Sequence, residues 1–255
     1  MTLSIIIINN EGYAPLKRSL EALELISMSP YDELLLVNGA AQDALLRRYC
    51  RALERNGAAR VCEMPAGSST AQLYNHGLDK TWGDVLLFLP CGTILKSEDG
   101  IEHMLTLCRR RDVGAVLGGV STMMGEKGDD AAMGRADANV VLASSATDAA
   151  VLGEKGDNAV MAGSVADAGA ATVTAKASVL MVRRETLLAL GGFDDTLEEV
   201  GFMDEFCLRL VRRGLTVMRT PYAKFAAGEP ITSKPLSERN ALRLKDLMRD
   251  VCNSG

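Results

Sequence analysis

Aromatic residues and histidines are scarce in this chain, and each shortage excludes a class of function. Aromatic residues make up 4% of the 255 residues and no basic block is present, which argues against nucleic-acid binding. The six cysteines contain no Cys-x-x-Cys pair, and only two histidines accompany them. A Cys/His zinc site is therefore not expected.

Long apolar runs are also missing. The run Leu3 to Ile8 is far shorter than the roughly 18 residues that indicate a membrane span, and it follows no basic leader. We therefore expect neither a transmembrane segment nor a signal peptide. Scattered free thiols are typical of the reducing cytoplasm, which is the expected location. Hydrophobic residues make up 47% of the chain, enough for a real core despite the net charge of -5.

Short apolar runs alternate with helical patterns over residues 1–120. Each run is rich in Val, Ile or Leu, as expected for a strand covered on both faces. Strands separated by helices indicate a parallel sheet with right-handed crossovers. The predicted strands are Leu3–Ile8, Leu34–Val37, Ala59–Met64, Asp84–Leu89 and Gly114–Val120. The predicted helices are Leu16–Leu25 and three that begin at caps Asp43, Ser69 and Ser97 and end at Asn56, Lys80 and Arg111.

Residues 121–175 differ in composition, being rich in Ala, Gly, Asp, Ser and Val and without aromatics. Gly125–Asp129 recurs as Gly153–Asp157, a repeat of about 28 residues. The simplest interpretation is an insertion made of a duplicated loop or hairpin. A small β element that supports a homo-oligomer is the alternative, and a calcium site is only weakly indicated because carboxylates do not recur at ligand spacing.

The alternation resumes after the insertion. A strand is predicted at Ala177–Val182 and a short helix at Arg184–Leu190, which stops at two glycines suited to a C-cap. A helix at Phe202–Arg213, a strand at Thr216–Arg219 and a C-terminal helix from Ser237 to about Asn253 follow. We expect one domain over residues 1–255: a nucleotide-binding half (1–120), the insertion (121–175) and an acceptor-side half with the C-terminal helix (176–255).

Five blocks, in this order and at suitable spacing, resemble glycosyltransferase family 2. They are Ser4–Gly12, Glu33–Asp43, Ala71–Gly77, the strand Gly83–Thr93, and Ser178–Gly214. The resemblance implies the GT-A fold, a Rossmann-like three-layer α/β/α arrangement with a mostly parallel central sheet. It also implies a nucleoside-diphosphate sugar as donor and a glycan or protein of unknown identity as acceptor.

The resemblance implies where the nucleotide would lie. Ligands of open α/β sheets bind beyond the carboxyl ends of the strands. Asn9, Asn10, Glu11, Asn38 and Asn75 match positions that line the nucleotide in the family. The family usually has Asp at the place of Asn38, which leaves the choice of base open. Favourable local backbone hydrogen bonds in turns are the competing explanation for both Asn9 and Asn38.

The chain departs from the family at the metal site. The strand that ends at Leu89 normally runs into an Asp-x-Asp pair that holds Mn²⁺ or Mg²⁺, and here Pro90–Gly92 stands in its place. Cys91 and Gly92 would therefore border the donor diphosphate without a metal, since a thiol is a poor ligand for hard cations. Four basic residues could replace the cation, namely Lys96, Lys176, Arg183 and Lys224.

The position of the general base is also altered. An ungapped alignment places Phe202 and Met203 on the acidic pair of the family, with Asp204 one position later and Glu205 on a further acidic position. Asp204 and Glu205 are the catalytic candidates, and favourable first-turn residues of a helix are the competing explanation.

Three functions remain open on these residues. The first is glycosyl transfer without the usual metal, and the second is a non-catalytic scaffold or a nucleotide- or glycan-binding module. The third, a sugar-phosphate nucleotidyltransferase, is disfavoured because Asn9–Gly12 is not a glycine-rich loop with a basic residue.

Overall fold

The computed structural model describes residues 1–23, 32–40, 44–97, 99–122, 139–140, 160–161, 179–197, 201–227 and the single positions 242, 246 and 249. The strands are β1 Leu3–Asn9, β2 Glu33–Asn38, β3 Arg60–Glu63, β4 Val85–Pro90, β5 Thr93–Leu95, β6 Val113–Thr122, β7 Asn139–Val140, β8 Val160–Met161, β9 Val179–Arg183 and β10 Thr216–Ala227. The helices are α1 Tyr13–Leu23, α2 Ala44–Arg55, α3 Thr70–Lys80, α4 Gly100–Cys108, α5 Arg184–Ala189 and α6 Phe202–Arg212.

Eight of these strands form one sheet, in the order β3-β2-β1-β4-β9-β6-β10-β5. Strands β3, β2, β1 and β4 are parallel, and β6 and β10 are parallel. Strand β9 lies antiparallel between β4 and β6, and β5 pairs antiparallel with β10. The expected α/β class with a mostly parallel central sheet is confirmed.

Each face of the sheet carries its own apolar core, because alternate residues of a strand point to opposite faces. On one face, Ile6 and Ile8 pack with Tyr74 of α3 and Phe206 of α6. On the other face, residues such as Ile5 pack with apolar residues of α1, α2 and α4. The central strands are covered on both sides and are apolar throughout, which confirms the three layers.

Most predicted elements lie where the sequence pattern placed them, with ends shifted by a few residues. Ser69 caps α3 in a capping box with Gln72: its Oγ accepts a hydrogen bond from the Gln72 amide, and the Gln72 side chain accepts one from the Ser69 amide. The two glycines after α5, Gly191 and Gly192, have φ values of +78° and +79° and end that helix as predicted.

Two predictions were wrong. Ser97 does not cap α4; its hydroxyl accepts a hydrogen bond from the Lys224 amide at 3.1 Å, and the residue before the helix is Asp99. The strand predicted at Thr216–Arg219 runs on to Ala227, where its second half pairs with the unpredicted strand β5. Both errors have one cause, because the contact between β5 and β10 joins segments about 130 residues apart and leaves no local signal.

The insertion lies mostly outside the described residues, as do the cap at Asp43 and all but three positions of the predicted C-terminal helix. Within the insertion, the short strands β7 and β8 pair in parallel, so these two strands are not a hairpin. Among the described helices, none has the length and apolar character to cross a bilayer.

Candidate functional site

Polar side chains collect where neighbouring parallel strands end. In the register of the sheet, Asn9 of β1 lies beside Asn38 of β2, and Asn38 lies beside Glu63 of β3. Paired residues of parallel strands point to the same face. The polar ends of the three strands therefore form one row at the carboxyl edge, where α/β sheets bind ligands.

The row is joined by hydrogen bonds between side chains. Asn9 Nδ2 donates to Asn38 Oδ1 at 2.8 Å, and Asn38 Nδ2 donates to Glu63 Oε2 at 2.8 Å. Both asparagines are completely buried, whereas Glu63 is exposed. A buried amide needs such partners, since an unpaired one costs about 1–3 kcal/mol.

The turn after β1 is organised by the same row. Asn9 Oδ1 accepts the Gly12 amide at 2.9 Å and lies 3.3 Å from the Glu11 amide nitrogen. Gly12 has a φ of +119°, which favours glycine. Asn10 and Glu11 are exposed on this turn, so the structure brings four of the predicted nucleotide residues, Asn9, Asn10, Glu11 and Asn38, to one place.

The loop that replaces the acidic pair is a tight turn packed against α1. The Gly92 amide donates to Ser19 Oγ at 2.9 Å, and Gly92 has a φ of +83°. A Cβ atom on Gly92 would lie 3.6 Å from Pro15 Cβ and 3.7 Å from Glu11 Oε2. The Glu11 carboxylate therefore lies beside the Cys91–Gly92 turn.

Cys91 is buried, and burial raises the pKa of its thiol. The Glu11 charge raises this pKa further, whereas the Gly92 amide and the Arg18 charge lower it. Cys91 is thus a neutral thiol at physiological pH, the wrong donor for Mg²⁺ or Mn²⁺. Over the described ranges, no group of three or more His, Cys, Asp or Glu side chains could hold a metal ion. The residues at this turn do not fit the divalent cation that the fold family uses.

Buried thiols make stability sensitive to alkali. Burial raises the pKa of Cys50 and Cys108 to about 11 and that of Cys207 to about 12. Cysteines of the unfolded chain titrate near 8.5, so above that pH the unfolded state loses protons that the folded state keeps. We expect the urea midpoint of unfolding to fall steadily between about pH 8.5 and 11 and to be flat between about pH 7 and 8. The urea midpoint of a Cys91→Ala variant, followed by circular dichroism, should fall less steeply as the pH rises. An identical slope would contradict a raised pKa of the Cys91 thiol in the folded protein.

The two catalytic candidates lie in the first turn of α6. Strand β10 begins at Thr216, which pairs with the first residue of β6, so α6 ends near the amino edge of the sheet and begins toward the carboxyl edge. Asp204 is 9% exposed, and its charge, together with that of Glu205, contributes to the raised pKa of Cys207. The first turn of α6 thus brings Asp204 toward the carboxyl edge of the sheet, where the residue is largely buried.

Glu205 is held by an arginine one turn later. Its two carboxylate oxygens lie 2.8 and 2.9 Å from Nε of Arg209, whose terminal nitrogens donate to the carbonyls of Leu190 at 2.6 Å and Gly192 at 2.8 Å. The pair thus joins α6 to the turn after α5. Glu205 is 4% exposed.

Asn75 holds the same turn from α3. Its Nδ2 donates to the Phe193 carbonyl at 2.8 Å, and its Oδ1 accepts the Phe193 amide at 2.8 Å. A Cβ atom on Gly192 would lie 2.7 Å from Asn75 Oδ1, so only glycine fits there. Asn75 therefore differs in role from the Asn9–Asn38–Glu63 row, because both of its polar atoms hold backbone.

The four basic residues that could replace the cation do not lie together. Arg183 pairs with Val85 at the start of β4, and its guanidinium donates to the carbonyls of Cys108 and Arg110, so it lies away from the carboxyl edge. Lys96 and Lys224 are exposed neighbours, with the Lys96 amide donating to the Lys224 carbonyl at 2.9 Å. Lys176 lies outside the described residues.

A cavity of about 380 Å³ lies elsewhere, on α2, and is lined by Ala44 and four arginines, Arg47, Arg48, Arg51 and Arg55. None of the candidate nucleotide residues lines it. The candidate site remains the carboxyl edge, because that edge carries the joined polar row.

Sequence reasoning missed Glu63, Ser19 and Arg209. Glu63 falls near the end of a predicted strand next to the Asn38 strand, so comparing strand ends would have found it. Ser19 sits on the buried side of α1, where a polar residue is unusual, which was an available signal. Arg209 follows Glu205 at the i+4 spacing of a helical ion pair.

The comparisons with known proteins agree on the architecture. No family model and no curated protein matches the sequence. Solved structures do match: GalNAc-T7, crystallised with UDP, GalNAc and Mn²⁺, has a TM-score of 0.68 at 14% identity over 96% of this chain. The chain has the GT-A glycosyltransferase fold.

Two further GT-A enzymes support this conclusion. S. aureus TarS has a TM-score of 0.61 at 12% identity over 98% of this chain, and a shorter form of it was crystallised with UDP-GlcNAc. A mannosyltransferase from Pyrobaculum calidifontis, in complex with GDP-Man and Mn²⁺, has a TM-score of 0.59 at 11% identity over 90% of this chain. This GT-A chain spans 57%, 47% and 39% of the mannosyltransferase, GalNAc-T7 and TarS chains.

Proposed function

We propose that this chain is a divergent glycosyltransferase of the family 2 type that binds a nucleoside-diphosphate sugar without a divalent metal. The observation that carries the proposal is the joined row Asn9–Asn38–Glu63 at the carboxyl edge, next to a turn at Cys91–Gly92 where the described residues offer no ligand set for a metal. The row would hold the nucleoside, and the turn would border the diphosphate.

The diphosphate charge then requires a cation from the chain itself. Arg18 is exposed on α1, directly before Ser19, whose hydroxyl accepts the Gly92 amide at 2.9 Å. Lys96 directly follows β5, and Lys224 lies on β10, the strand that pairs with β5. Arginine and lysine stabilise phosphate oxygens in place of a metal.

The binding proposal is tested by calorimetric titration with UDP and GDP, each with and without Mn²⁺. We expect at least one of them to bind with an affinity that manganese does not change. An affinity that rises strongly with manganese would contradict the metal-free site. No binding of either nucleotide would contradict nucleotide-sugar binding as a whole.

For catalysis we propose Asp204 as the base that takes the proton of the acceptor hydroxyl, with Glu205 positioning the start of α6 through Arg209. A general base contributes about a hundredfold or more to the rate. Asp204→Asn should therefore lower sugar transfer by about that factor while nucleotide affinity stays unchanged. Asp195→Asn, which changes an exposed carboxylate in the loop before α6, is the matched control. A full rate in the Asp204 variant would remove it from the mechanism.

A non-catalytic nucleotide- or glycan-binding module is the second candidate. It is favoured by the burial of Asp204 and by the Arg209 contacts of Glu205, which leave little carboxylate surface for an acceptor. One assay distinguishes the enzyme from the non-catalytic module. Nucleotide binding without any transfer or hydrolysis across a panel of labelled donors would support the module.

A further inference from the structure

One exposed face of α2 consists of four arginines and is called the arginine face here: Arg47, Arg48, Arg51 and Arg55. Because a helix turns about 100° per residue, the four positions fall within an arc of about 100° and span about 12 Å of the helix. The buried residues Leu46 and Cys50 lie on the other side of α2, in the core that α2 shares with α1 and α4. The arginine face is therefore part of the outer surface of the layer that covers this side of the sheet.

The stability of α2 does not explain this arrangement. Arg47 lies in the first turn, where the helix dipole disfavours a positive charge. Arg51 lies four residues from both Arg47 and Arg55, a spacing at which like charges destabilise a helix. Glu54 is the one acidic residue of α2, and among the residues that the structure describes no ion pair includes any of the four arginines. Such uncompensated positive charge, on a chain whose net charge is -5, favours an anionic partner.

We propose that the arginine face binds the surface of a bilayer that contains anionic phospholipids. Guanidinium groups form paired hydrogen bonds with phosphate oxygens, and exposed arginines are attracted to the negative potential of such a surface. Arg55 Nε donates to the Arg51 carbonyl at 3.2 Å, a bond that does not use the terminal nitrogens of Arg55. The apolar side of α2 is already buried in the core, so the contact is electrostatic and the helix does not insert into the bilayer.

The shape of the arginine face favours a flat, extended partner over a single small anion. Every described residue that lines the cavity of about 380 Å³ belongs to α2, so a ligand meets the arginines from one side only. Small ligands are held in concave sites by converging polar groups, whereas phospholipid headgroups present many phosphates in one plane. Leu45 is 53% exposed beside the arginine face and adds an apolar side chain at the same surface. The described lining residues include no aromatic side chain, which disfavours a nucleic acid, whose bases stack on such groups.

The test is co-sedimentation of the whole chain with two kinds of vesicle at low salt. One kind contains phosphatidylcholine alone, and the other contains equal parts of phosphatidylcholine and phosphatidylglycerol. We expect binding to the anionic vesicles only. We also expect release at about 1 M salt, where the screening length falls to about 3 Å.

A variant with all four arginines changed to glutamine tests the arginine face itself. Each arginine near an anionic surface corresponds to about fivefold in affinity, so the variant should bind anionic vesicles at least about a hundredfold more weakly. Glutamine forms helices about as well as arginine, so α2 should persist. The variant combines Arg47→Gln, Arg48→Gln, Arg51→Gln and Arg55→Gln. The matched control makes the same change of charge at exposed arginines outside α2, namely Arg109→Gln, Arg111→Gln, Arg213→Gln and Arg219→Gln, and should bind nearly like the native protein.

Native affinity in the four-glutamine variant, or an equal loss of affinity in the control, overturns the arginine face as the contact. Equal binding of the native protein to neutral and anionic vesicles, or binding to neither, overturns the anionic bilayer as the partner. Calorimetric binding of inorganic phosphate or polyglutamate, without binding to vesicles, would assign the arginine face to a soluble anion instead. If circular dichroism shows that the four-glutamine variant does not fold, the lipid and salt dependence of the native protein decides. These outcomes do not depend on nucleotide binding, so the inference is tested independently of the proposed function.

Discussion

Asn38→Asp should lower the free energy of unfolding by about 3 kcal/mol at pH 8, the cost of an uncompensated buried charge. The new carboxylate would face the Glu63 carboxylate at 2.8 Å, in place of the amide that donates there now. The folded state would then keep a proton that the unfolded state has lost, so the destabilisation should grow as the pH rises above about 4 and should be small below it.

The double variant Asn38→Asp with Glu63→Gln is the matched control. The amide introduced at position 63 can donate to the carboxylate introduced at position 38, which restores the bond with donor and acceptor exchanged. We expect urea unfolding to show recovery of about 2 kcal/mol relative to Asn38→Asp alone, a coupling typical of residues in contact. Destabilisation that is the same at all pH values, or that the second change does not relieve, would contradict the described hydrogen bond.

Asn75→Ala should lower the free energy of unfolding by about 2–3 kcal/mol, because the substitution leaves the Phe193 amide and carbonyl without their partner and the unpaired groups carry the desolvation cost. His76→Ala, on the same helix and also half-buried, should cost less because none of the described hydrogen bonds involves His76. The readout is the urea midpoint, together with GDP and UDP affinity at low urea.

The nucleotide affinity of the folded Asn75→Ala variant shows whether Asn75 only holds the turn after α5 or also contacts the nucleotide. If it only holds the turn after α5, the folded variant binds nucleotide like the native protein. A loss of affinity in the folded variant would show that Asn75 contacts the nucleotide, as the family resemblance implies. Gly192→Ala should behave like Asn75→Ala, since its Cβ would press on Asn75 Oδ1, whereas Gly191→Ala meets open space and should suffer from its positive φ alone.

The elements that could be predicted from the sequence carry local signals. Ser69 and Gln72 form a capping box three residues apart, and the Gly191–Gly192 pair marks the end of a helix. Asn9 and Asn38 follow apolar runs directly, so their place at a strand end follows from the pattern. The interactions of Ser97 could not be predicted, since its partner, the Lys224 amide, is 127 residues away and an isolated serine before a helix usually caps it.

The sequence indicates the edge of the sheet at which the candidate site lies, but it does not indicate which way the side-chain amides face. The carboxyl edge follows from the alternation of strands and helices alone. The direction of each amide depends on which atom faces Gly12, and the part of Glu63 depends on the register between β2 and β3. Likewise, Arg183 is a candidate cation in the sequence, whereas in the fold its guanidinium donates to the carbonyls of Cys108 and Arg110.

Strand β9 has a consequence for how the chain acquires its structure. It occupies the middle of the sheet, between β4 and β6, yet it is encoded more than fifty residues after β6. Until residues 179–183 are synthesised, β4 and β6 lack the strand that pairs with both of them in the native sheet. Contacts of such high sequence separation slow folding and prolong exposure to aggregation. The first 120 residues should therefore depend on the late strand, and a chaperone that shields them during synthesis should raise the yield of native protein.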